Sequence, residues 1–195
     1  MTEKTGVKNM KKAISVLLVA ALASGCASAA VEPQDEKTVS DMSGYATLTD
    51  TDHVFYDMSV KQMAQAMDDG ETFVVYFGFE TCSWCLEAVP LLNETAKQYD
   101  TQVGYINTRA NEEWTSNLDI DDYDLVVEKL GDHLEYDNDG IKHLYTPHVF
   151  FIKDGKVVFD HEGTIEGHNA KEESLSEEEK DTVRDYYKEG FEALK

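Results

Sequence analysis

The stretch from Phe73 to Pro90 constrains the fold more than any other part of the chain. It opens with a run of β-branched and aromatic residues, which predicts a buried strand. Cys82 and Cys85 follow at a spacing of one helical turn, and the residues after Cys85 favour a helix. The stretch therefore predicts a strand that delivers two cysteines onto the first turn of a helix.

A cysteine pair at a helix N-terminus is predicted to be reactive. The first turn of a helix presents unpaired N–H groups and partial positive charge, which stabilise a thiolate, the reactive form of cysteine. We expect Cys82, at the outer end of the helix, to attack, and Cys85, one turn further in, to resolve the mixed disulfide. A Cys82–Cys85 disulfide closes so short a loop that it adds little stability. The pair therefore indicates disulfide exchange rather than a structural cross-link.

The composition disfavours several classes of function. The chain of 195 residues allows one domain with appendages, and 42% hydrophobic residues suffice for a core. A formal net charge of -22 disfavours binding to nucleic acid or to anionic lipid headgroups. We interpret the acidic surface as a solubilising one; a field that attracts basic partners is the alternative. The cysteine and histidine spacings predict no metal site and no cofactor.

The N-terminal residues predict export. Residues 1–25 combine a lysine-bearing start, an apolar run and small residues before Cys26, which resembles a bacterial lipoprotein signal peptide. The resemblance implies cleavage before Cys26, a diacylglycerol on its sulfur and attachment to the outer face of a membrane. An ordinary secretory peptide that is cut within residues 27–30 is the alternative. Either route places the domain outside the cytosol, where a cysteine pair can hold a disulfide.

The remaining chain predicts alternating strands and helices. Residues 26–44 are small, polar and acidic and predict a flexible tether, so we expect the folded domain over 45–195. The order strand, helix, strand, helix, strand in its first half favours parallel pairing through crossovers. Residues 107–144 are too long for a simple connection and predict an acidic insertion with one helix over 121–134.

The C-terminal part predicts a hairpin and a closing helix. Thr146 and Pro147 precede two apolar runs that are separated by Asp154 and Gly155, a strong hairpin signal. The last helix is predicted to begin at Ser176, which can form a capping box with the glutamate three residues later.

Together these features resemble the thioredoxin family. They are the buried strand before Cys82 and Cys85, the proline five residues after the second cysteine, the Thr146–Pro147 loop before a hairpin, and the closing helix. A weaker similarity, to thioredoxin-like bacteriocin-transport accessory proteins, rests on the aromatic residues, glycine and Thr-Cys that lead into the pair. The resemblance implies a thioredoxin fold, in which helices flank a mixed central sheet, with the acidic helical insertion before a cis-proline loop.

The resemblance also implies a thiol–disulfide oxidoreductase that acts on exported or cell-surface proteins through Cys82 and Cys85. It implies that Pro147 is cis, that the backbone of Thr146 pairs with an extended substrate segment, and that Trp84 contacts the substrate. Cysteine-containing exported proteins would be the substrates and a membrane protein the electron partner, with the reductase or isomerase direction favoured. The alternative is a non-enzymatic accessory or metal-handling module that keeps the fold.

The sequence departs from the thioredoxin pattern behind the cysteine pair. Six residues before Cys82, where thioredoxin has a buried acid for proton transfer, this chain has Tyr76. We therefore consider Tyr76 and Glu80 as candidates for proton transfer, and an ordinary solvent-exposed side chain is the alternative interpretation of Glu80. His148, after the proline, is interpreted as a packing or solvent-exposed residue, with a metal-binding role beside Cys82 and Cys85 as the alternative. Trp114, in the insertion, is interpreted as a packing residue.

Overall fold

The computed structural model describes residues 37–109 and 121–195. Within these ranges the strands are β1 (Phe55–Asp57), β2 (Phe73–Gly78), β3 (Val103–Asn107), β4 (Glu135–Tyr136), β5 (Lys142–His143), β6 (His148–Lys153) and β7 (Lys156–Glu162). The helices are α1 (Val60–Asp68), α2 (Ser83–Gln98), α3 (Tyr123–Leu130) and α4 (Glu177–Ala193). None of these helices is long and apolar enough to cross a membrane. The predicted signal peptide, Cys26 and Trp114 lie outside the described residues.

Five strands form one mixed sheet in the order β1-β3-β2-β6-β7. β1 and β2 each pair with β3 in parallel, whereas β6 pairs antiparallel with both β2 and β7. Parallel neighbours require crossover connections, and α1 and α2 supply them. The predicted hairpin is present, with its turn at Asp154 and Gly155, both of which have positive φ. A mixed sheet flanked by helices, with this strand order, confirms the predicted thioredoxin fold.

The core has two halves because successive residues of a strand point to opposite faces of the sheet. On β2, Val74 and Tyr76 pack in the half that α2 and α4 cover. Val75 and Phe77 pack in the other half, which α1 and α3 cover. All six residues of β2 are buried. The strand that leads to the cysteines is therefore held rigidly from both sides.

The predicted insertion contains more regular structure than its sequence pattern indicates. Val126 and Leu130 of α3 are fully buried, so this helix belongs to the core. After a 3-10 turn over Gly131–His133, β4 and β5 form a small antiparallel hairpin in addition to the one predicted helix. Strands of two residues are too short to leave an alternating pattern in the sequence, which is why they were missed.

The folded domain begins earlier than the predicted boundary at residue 45. The Ser40 amide donates to the Phe55 carbonyl at 3.2 Å, so this segment lies along the edge strand β1. The side chains of Met42 and Tyr45 are only 3% and 2% exposed. Residues 37–44 are therefore part of the domain, and the tether predicted over 26–44 does not extend to residue 44. The segment consists mostly of small and polar residues, so a single buried apolar side chain, Met42, left no pattern that predicts folding.

Candidate active site

The two cysteines occupy the junction between β2 and α2. Cys82 is the N-cap residue of α2, and its Sγ accepts a hydrogen bond from the Cys85 amide at 3.2 Å. Cys82 is 8% exposed, whereas Cys85 is fully buried. Both thiols are free. The junction therefore presents one sulfur near the surface and holds the other behind it.

The pKa values of the two thiols are shifted in opposite directions. The pKa of Cys82 is lowered to about 7, first by the hydrogen bond with the Cys85 thiol and further by backbone N–H groups of the helix start. Burial raises the pKa of Cys85, and the interaction with Cys82 raises it further. Near neutral pH, Cys82 is therefore partly thiolate while Cys85 keeps its proton.

The loop before β6 lies directly against the cysteine pair. The Thr146–Pro147 peptide bond is cis, and the Thr146 carbonyl oxygen lies 3.7 Å from Cys82 Sγ. The Pro147 carbonyl accepts a hydrogen bond from the Gly163 amide at 2.7 Å, which ties this loop to the end of β7. The fold thus brings Thr146 and Pro147, which are distant in sequence, beside Cys82.

Trp84 lies beside the pair but is held in place by another loop. Its indole Nε1 donates to the His168 carbonyl at 3.2 Å, and the Lys171 ammonium lies 5.6 Å from the ring centroid. The half-buried indole lines a cleft of about 390 Å³ together with Ile165 and Tyr186. The half-buried indole therefore forms part of the wall of this cleft.

Three buried tyrosines pack behind Cys85. The Tyr76 hydroxyl lies 3.4 Å from that of Tyr45, which donates to the Tyr105 hydroxyl at 3.2 Å. The rings of Tyr76 and Tyr105 are stacked, with centroids 5.7 Å apart. A hydrogen bond between Tyr76 and Cys85 lowers the pKa of that thiol, against the larger effect of burial. We refer to Tyr45, Tyr76 and Tyr105 as the tyrosine cluster.

The tyrosine cluster was only partly predictable from the sequence. Tyr76 is a candidate for proton transfer from the sequence alone, because it replaces an acid of the thioredoxin pattern. Tyr45 is not predictable in this way, because it lies 31 residues away in a segment that resembles a linker. Glu80, the other candidate for proton transfer, is exposed. It lines a cleft of about 230 Å³ on the outer side of the cluster, together with Asp41, Tyr45 and Tyr105.

A second polar cluster, here called the histidine cluster, surrounds the buried His148 ring on β6, β7 and the 3-10 turn. Asp160 pairs with His148 Nε2 at 2.9 Å and with His133 Nδ1 at 2.8 Å, and Glu162 lies 3.7 Å from His148 Nδ1. Burial lowers the pKa of His148, whose side chain is 1% exposed. Burial opposes ionisation of Asp160, but the bonds from the two histidines outweigh it and lower its pKa. No motif or spacing in the sequence predicts that these four residues meet.

Metal-ligating geometry is not present in the part of the chain that the structure describes. Within residues 37–109 and 121–195, no group of three or more histidine, cysteine, aspartate or glutamate side chains is arranged to hold a metal ion. In the histidine cluster, the two carboxylate oxygens of Asp160 each bond one imidazole instead.

Comparisons with known proteins add little to this description. No family model and no curated protein matches the chain. Among 43 matching chains of solved structures, one is described as "a putative oxidoreductase with a thioredoxin fold". It is 19% identical, covers 56% of this chain and 83% of its own, and has a TM-score of 0.42. A likeness this distant carries no functional argument, so the assignment of the fold rests on the strand order and helices described above.

Proposed function

We propose that this protein is a thiol–disulfide oxidoreductase that works through Cys82 and Cys85. The observation that carries the proposal is the opposed pKa shift of two thiols one helical turn apart, to about 7 for Cys82 and upward for Cys85. A nucleophilic thiol is most effective when its pKa lies near the ambient pH. The arrangement therefore suits Cys82 to attack and Cys85 to wait until a mixed disulfide has formed.

The proposed exchange transfers two electrons in two steps. The Cys82 thiolate attacks a substrate disulfide, forms a mixed disulfide and releases one substrate sulfur as a thiolate. Cys85 then loses its proton and attacks Cys82 Sγ, so that the second substrate sulfur leaves as a thiolate. The substrate is reduced to a dithiol and the pair is oxidised to the Cys82–Cys85 disulfide, which a membrane electron partner would reduce again. This direction, or isomerisation through the same mixed disulfide, is the one we favour.

We propose that the substrate lies in an extended conformation along the Thr146–Pro147 loop. The Thr146 carbonyl oxygen is 3.7 Å from the attacking sulfur, so a strand-like segment paired with this backbone would present its disulfide to Cys82. Trp84 and the cleft beside it, which aromatic and acidic side chains line, offer a surface for residues that flank the substrate cysteine.

We propose further that the protein acts outside the cytosol, anchored by a lipid on Cys26, with secretion as the alternative. The support is the sequence pattern of residues 1–26. Its substrates would be cysteine-containing exported or cell-surface proteins, because disulfides form and persist in that compartment.

Reduction of insulin disulfides, followed by turbidity, tests the exchange activity. We expect Cys82→Ser to reduce the rate to background, and Cys85→Ser to accumulate a mixed disulfide that a gel without reductant reveals. Alkylation of Cys82 should follow a titration with a midpoint of about 7. Cys26→Ser is the matched control: it removes the third cysteine, should keep full activity, and should shift the protein from the membrane to the soluble fraction.

Two results would contradict the proposal. One is insulin reduction by Cys82→Ser at the wild-type rate. The other is a wild-type protein without thiol-dependent activity that takes up a stoichiometric metal ion, which would favour the metal-handling alternative.

A further inference from the structure

We propose that the tyrosine cluster is a hydroxyl relay, which carries the proton of Cys85 to the cleft at Glu80 when the mixed disulfide is resolved. This inference rests on the proposed exchange reaction and assigns proton-transfer roles to Tyr45 and Tyr105. Both residues lie outside the Cys-x-x-Cys stretch, and Tyr45 belongs to the segment that precedes β1.

A relay is needed because Cys85 must lose a proton although it is buried. Cys85 must be a thiolate to attack Cys82, yet it is fully buried and burial raises its pKa. Tyr76, the hydroxyl in contact with it, is also fully buried, and its pKa is raised well above the ordinary value. A phenol of that kind is a poor final acceptor. It can take the thiol proton only while it passes its own proton to another group.

The tyrosine cluster supplies that next group and a consistent direction. Tyr76 can donate to Tyr45 across 3.4 Å, and Tyr45 donates to Tyr105 at 3.2 Å. Tyr105 in turn donates to the Gly78 carbonyl at 3.5 Å. All three distances exceed the usual length of about 2.5–3.0 Å for an O–H···O bond, so these bonds are weak and the hydroxyls can reorient. The bonds from Tyr45 to Tyr105 and on to Gly78 point outward; transfer requires the Cys85 thiol to donate to Tyr76 while Tyr76 donates to Tyr45.

The outer end of the relay reaches solvent. Tyr45 and Tyr105 both line the cleft of about 230 Å³ that also contains Glu80 and Asp41. A water molecule occupies roughly 30 Å³ in the liquid, so this cleft has room for several. Because the bond from Tyr105 to Gly78 is weak, the Tyr105 hydroxyl can turn to a water in the cleft. The proton leaves there, to water or to the Glu80 carboxylate.

Two contacts hold the segment that carries Tyr45 against the active-site helix. Pro90 has no N–H, so the carbonyl of Leu86, one turn earlier, lacks its usual helical donor. The Thr47 hydroxyl donates to that carbonyl. At Gly44, an added Cβ would lie 2.9 Å from the Glu80 side chain, so the backbone there packs closely on the outer cleft. Tyr45 is thereby positioned from both sides.

The proton balance of the step is simple. Cys85 loses one proton, each tyrosine gains one and gives one up, and the cleft receives one. The Cys85 thiolate forms a bond to Cys82 Sγ, and the bond from Cys82 to the substrate sulfur breaks with its electron pair on the substrate. No further oxidant or reductant is required.

The test uses an aromatic disulfide whose thiolate product absorbs visible light. One equivalent reacts with the reduced protein in two phases: attack by Cys82 releases the first coloured thiolate, and resolution by Cys85 releases the second. Stopped-flow absorbance therefore reports each cysteine separately. Tyr45→Phe, Tyr76→Phe and Tyr105→Phe remove one hydroxyl each. Tyr187→Phe is the matched control, because Tyr187 is equally buried and its hydroxyl has no hydrogen-bond partner among the described residues.

The expected result is a selective effect on the second phase. Since general acid–base groups typically contribute 10²–10⁴-fold, we expect Tyr76→Phe to slow the second phase about 10²-fold and Tyr45→Phe and Tyr105→Phe about tenfold near neutral pH. The first phase should keep its rate, as should both phases in Tyr187→Phe. The defect should shrink as the pH rises, because hydroxide then removes the Cys85 proton directly.

Distinct outcomes would overturn the relay and the exchange reaction. Wild-type second-phase rates in folded Tyr45→Phe and Tyr105→Phe would overturn the relay and leave the exchange reaction intact. Equal slowing of both phases, independent of pH, would show a purely structural role. A wild-type protein without a second phase would overturn the exchange reaction, and the relay with it.

Discussion

The tyrosine cluster and the histidine cluster differ both in burial and in chemistry: all three tyrosines are buried, whereas in the histidine cluster only His148 is. The tyrosine cluster consists of neutral hydroxyls, and burial raises the pKa of all three further above the ordinary value of 10.0. The histidine cluster contains a carboxylate that two imidazoles bond, and the neighbouring Glu162 has its pKa raised to about 7. The tyrosine cluster therefore stays neutral across the physiological pH range, whereas the charge of the histidine cluster changes within that range.

The two clusters are therefore expected to affect different properties. The tyrosine cluster should affect the reactivity of the cysteines, and the histidine cluster should affect how stability depends on pH. Groups whose pKa differs between the folded and unfolded states make the free energy of unfolding depend on pH. In the acid to neutral range, the histidine cluster contains such groups and the tyrosine cluster contains none. A change in the tyrosine cluster should therefore alter packing and reactivity, and a change in the histidine cluster should alter how stability varies with pH.

The largest effect is expected when the packing of the tyrosine cluster is disturbed. In Gly78→Ala, the added Cβ would overlap the ring of Tyr76, which is fully buried and stacked on Tyr105. Overpacking of a rigid core typically costs 1–3 kcal/mol, so we expect a loss of about 3 kcal/mol in the free energy of unfolding. Urea denaturation measures it.

Gly104→Ala on the neighbouring strand is the matched control. Its Cβ would lie 2.8 Å from Met58 Sδ, and a flexible thioether can move aside. We expect a loss of less than about 1 kcal/mol there, since volume changes that a core can absorb are tolerated. Equal losses at the two glycines would show that the tyrosine cluster is no more rigid than the rest of the sheet.

The local features of this fold were predictable because their causes are local. The strand before Cys82, the Asp154–Gly155 turn and the Ser176 capping box each depend on residues within a few positions of one another, and all are present. The general position of Pro147 followed from a family pattern. Such features leave a signal in a short window of sequence.

The contacts that complete the two clusters were not predictable because they join distant parts of the chain. Tyr45 meets Tyr105 across 60 residues, from a segment with the composition of a linker. His133 meets Asp160 across 27 residues, and its position depends on a short hairpin that no periodicity reveals. Single residues in polar surroundings carry no pattern that would show which of them become buried together.

An intermediate effect is expected when the centre of the histidine cluster is changed. Asp160→Asn keeps the size of the side chain but replaces one carboxylate oxygen by an NH2 group. This nitrogen cannot accept a hydrogen bond from an imidazole N–H, so one of the two bonds to the histidines is lost. A buried group left without its partner costs about 1–3 kcal/mol, and we expect about 2 kcal/mol by urea denaturation near neutral pH. Asp181→Asn is the control, because its pair with Arg184 is 75% exposed on the aspartate side and such pairs contribute little. A loss as small as that of the control would mean that the cluster adds no stability.

The smallest effect, and the one that depends most on pH, is expected at Glu162. Burial, with the nearby Glu135 and Asp160 charges, raises its pKa from 4.5 to about 7. The folded state therefore retains a proton that the unfolded state releases as the pH rises from 4.5 to about 7, so stability is lost over that window. Glutamine cannot ionise, so Glu162→Gln should avoid this loss.

The expected gain for Glu162→Gln is about 1 kcal/mol at about pH 8 and close to zero at about pH 4. This expected gain is smaller than the shift in the Glu162 pKa alone would give, because 33% of the side chain is exposed and solvent screens its charge. Urea denaturation at both pH values measures it, with the exposed Glu166→Gln as the control. A gain of the same size at both pH values would place its origin in packing rather than in charge. Glu162 would then affect stability through packing, as the tyrosine cluster does, and its ionisation would make no contribution.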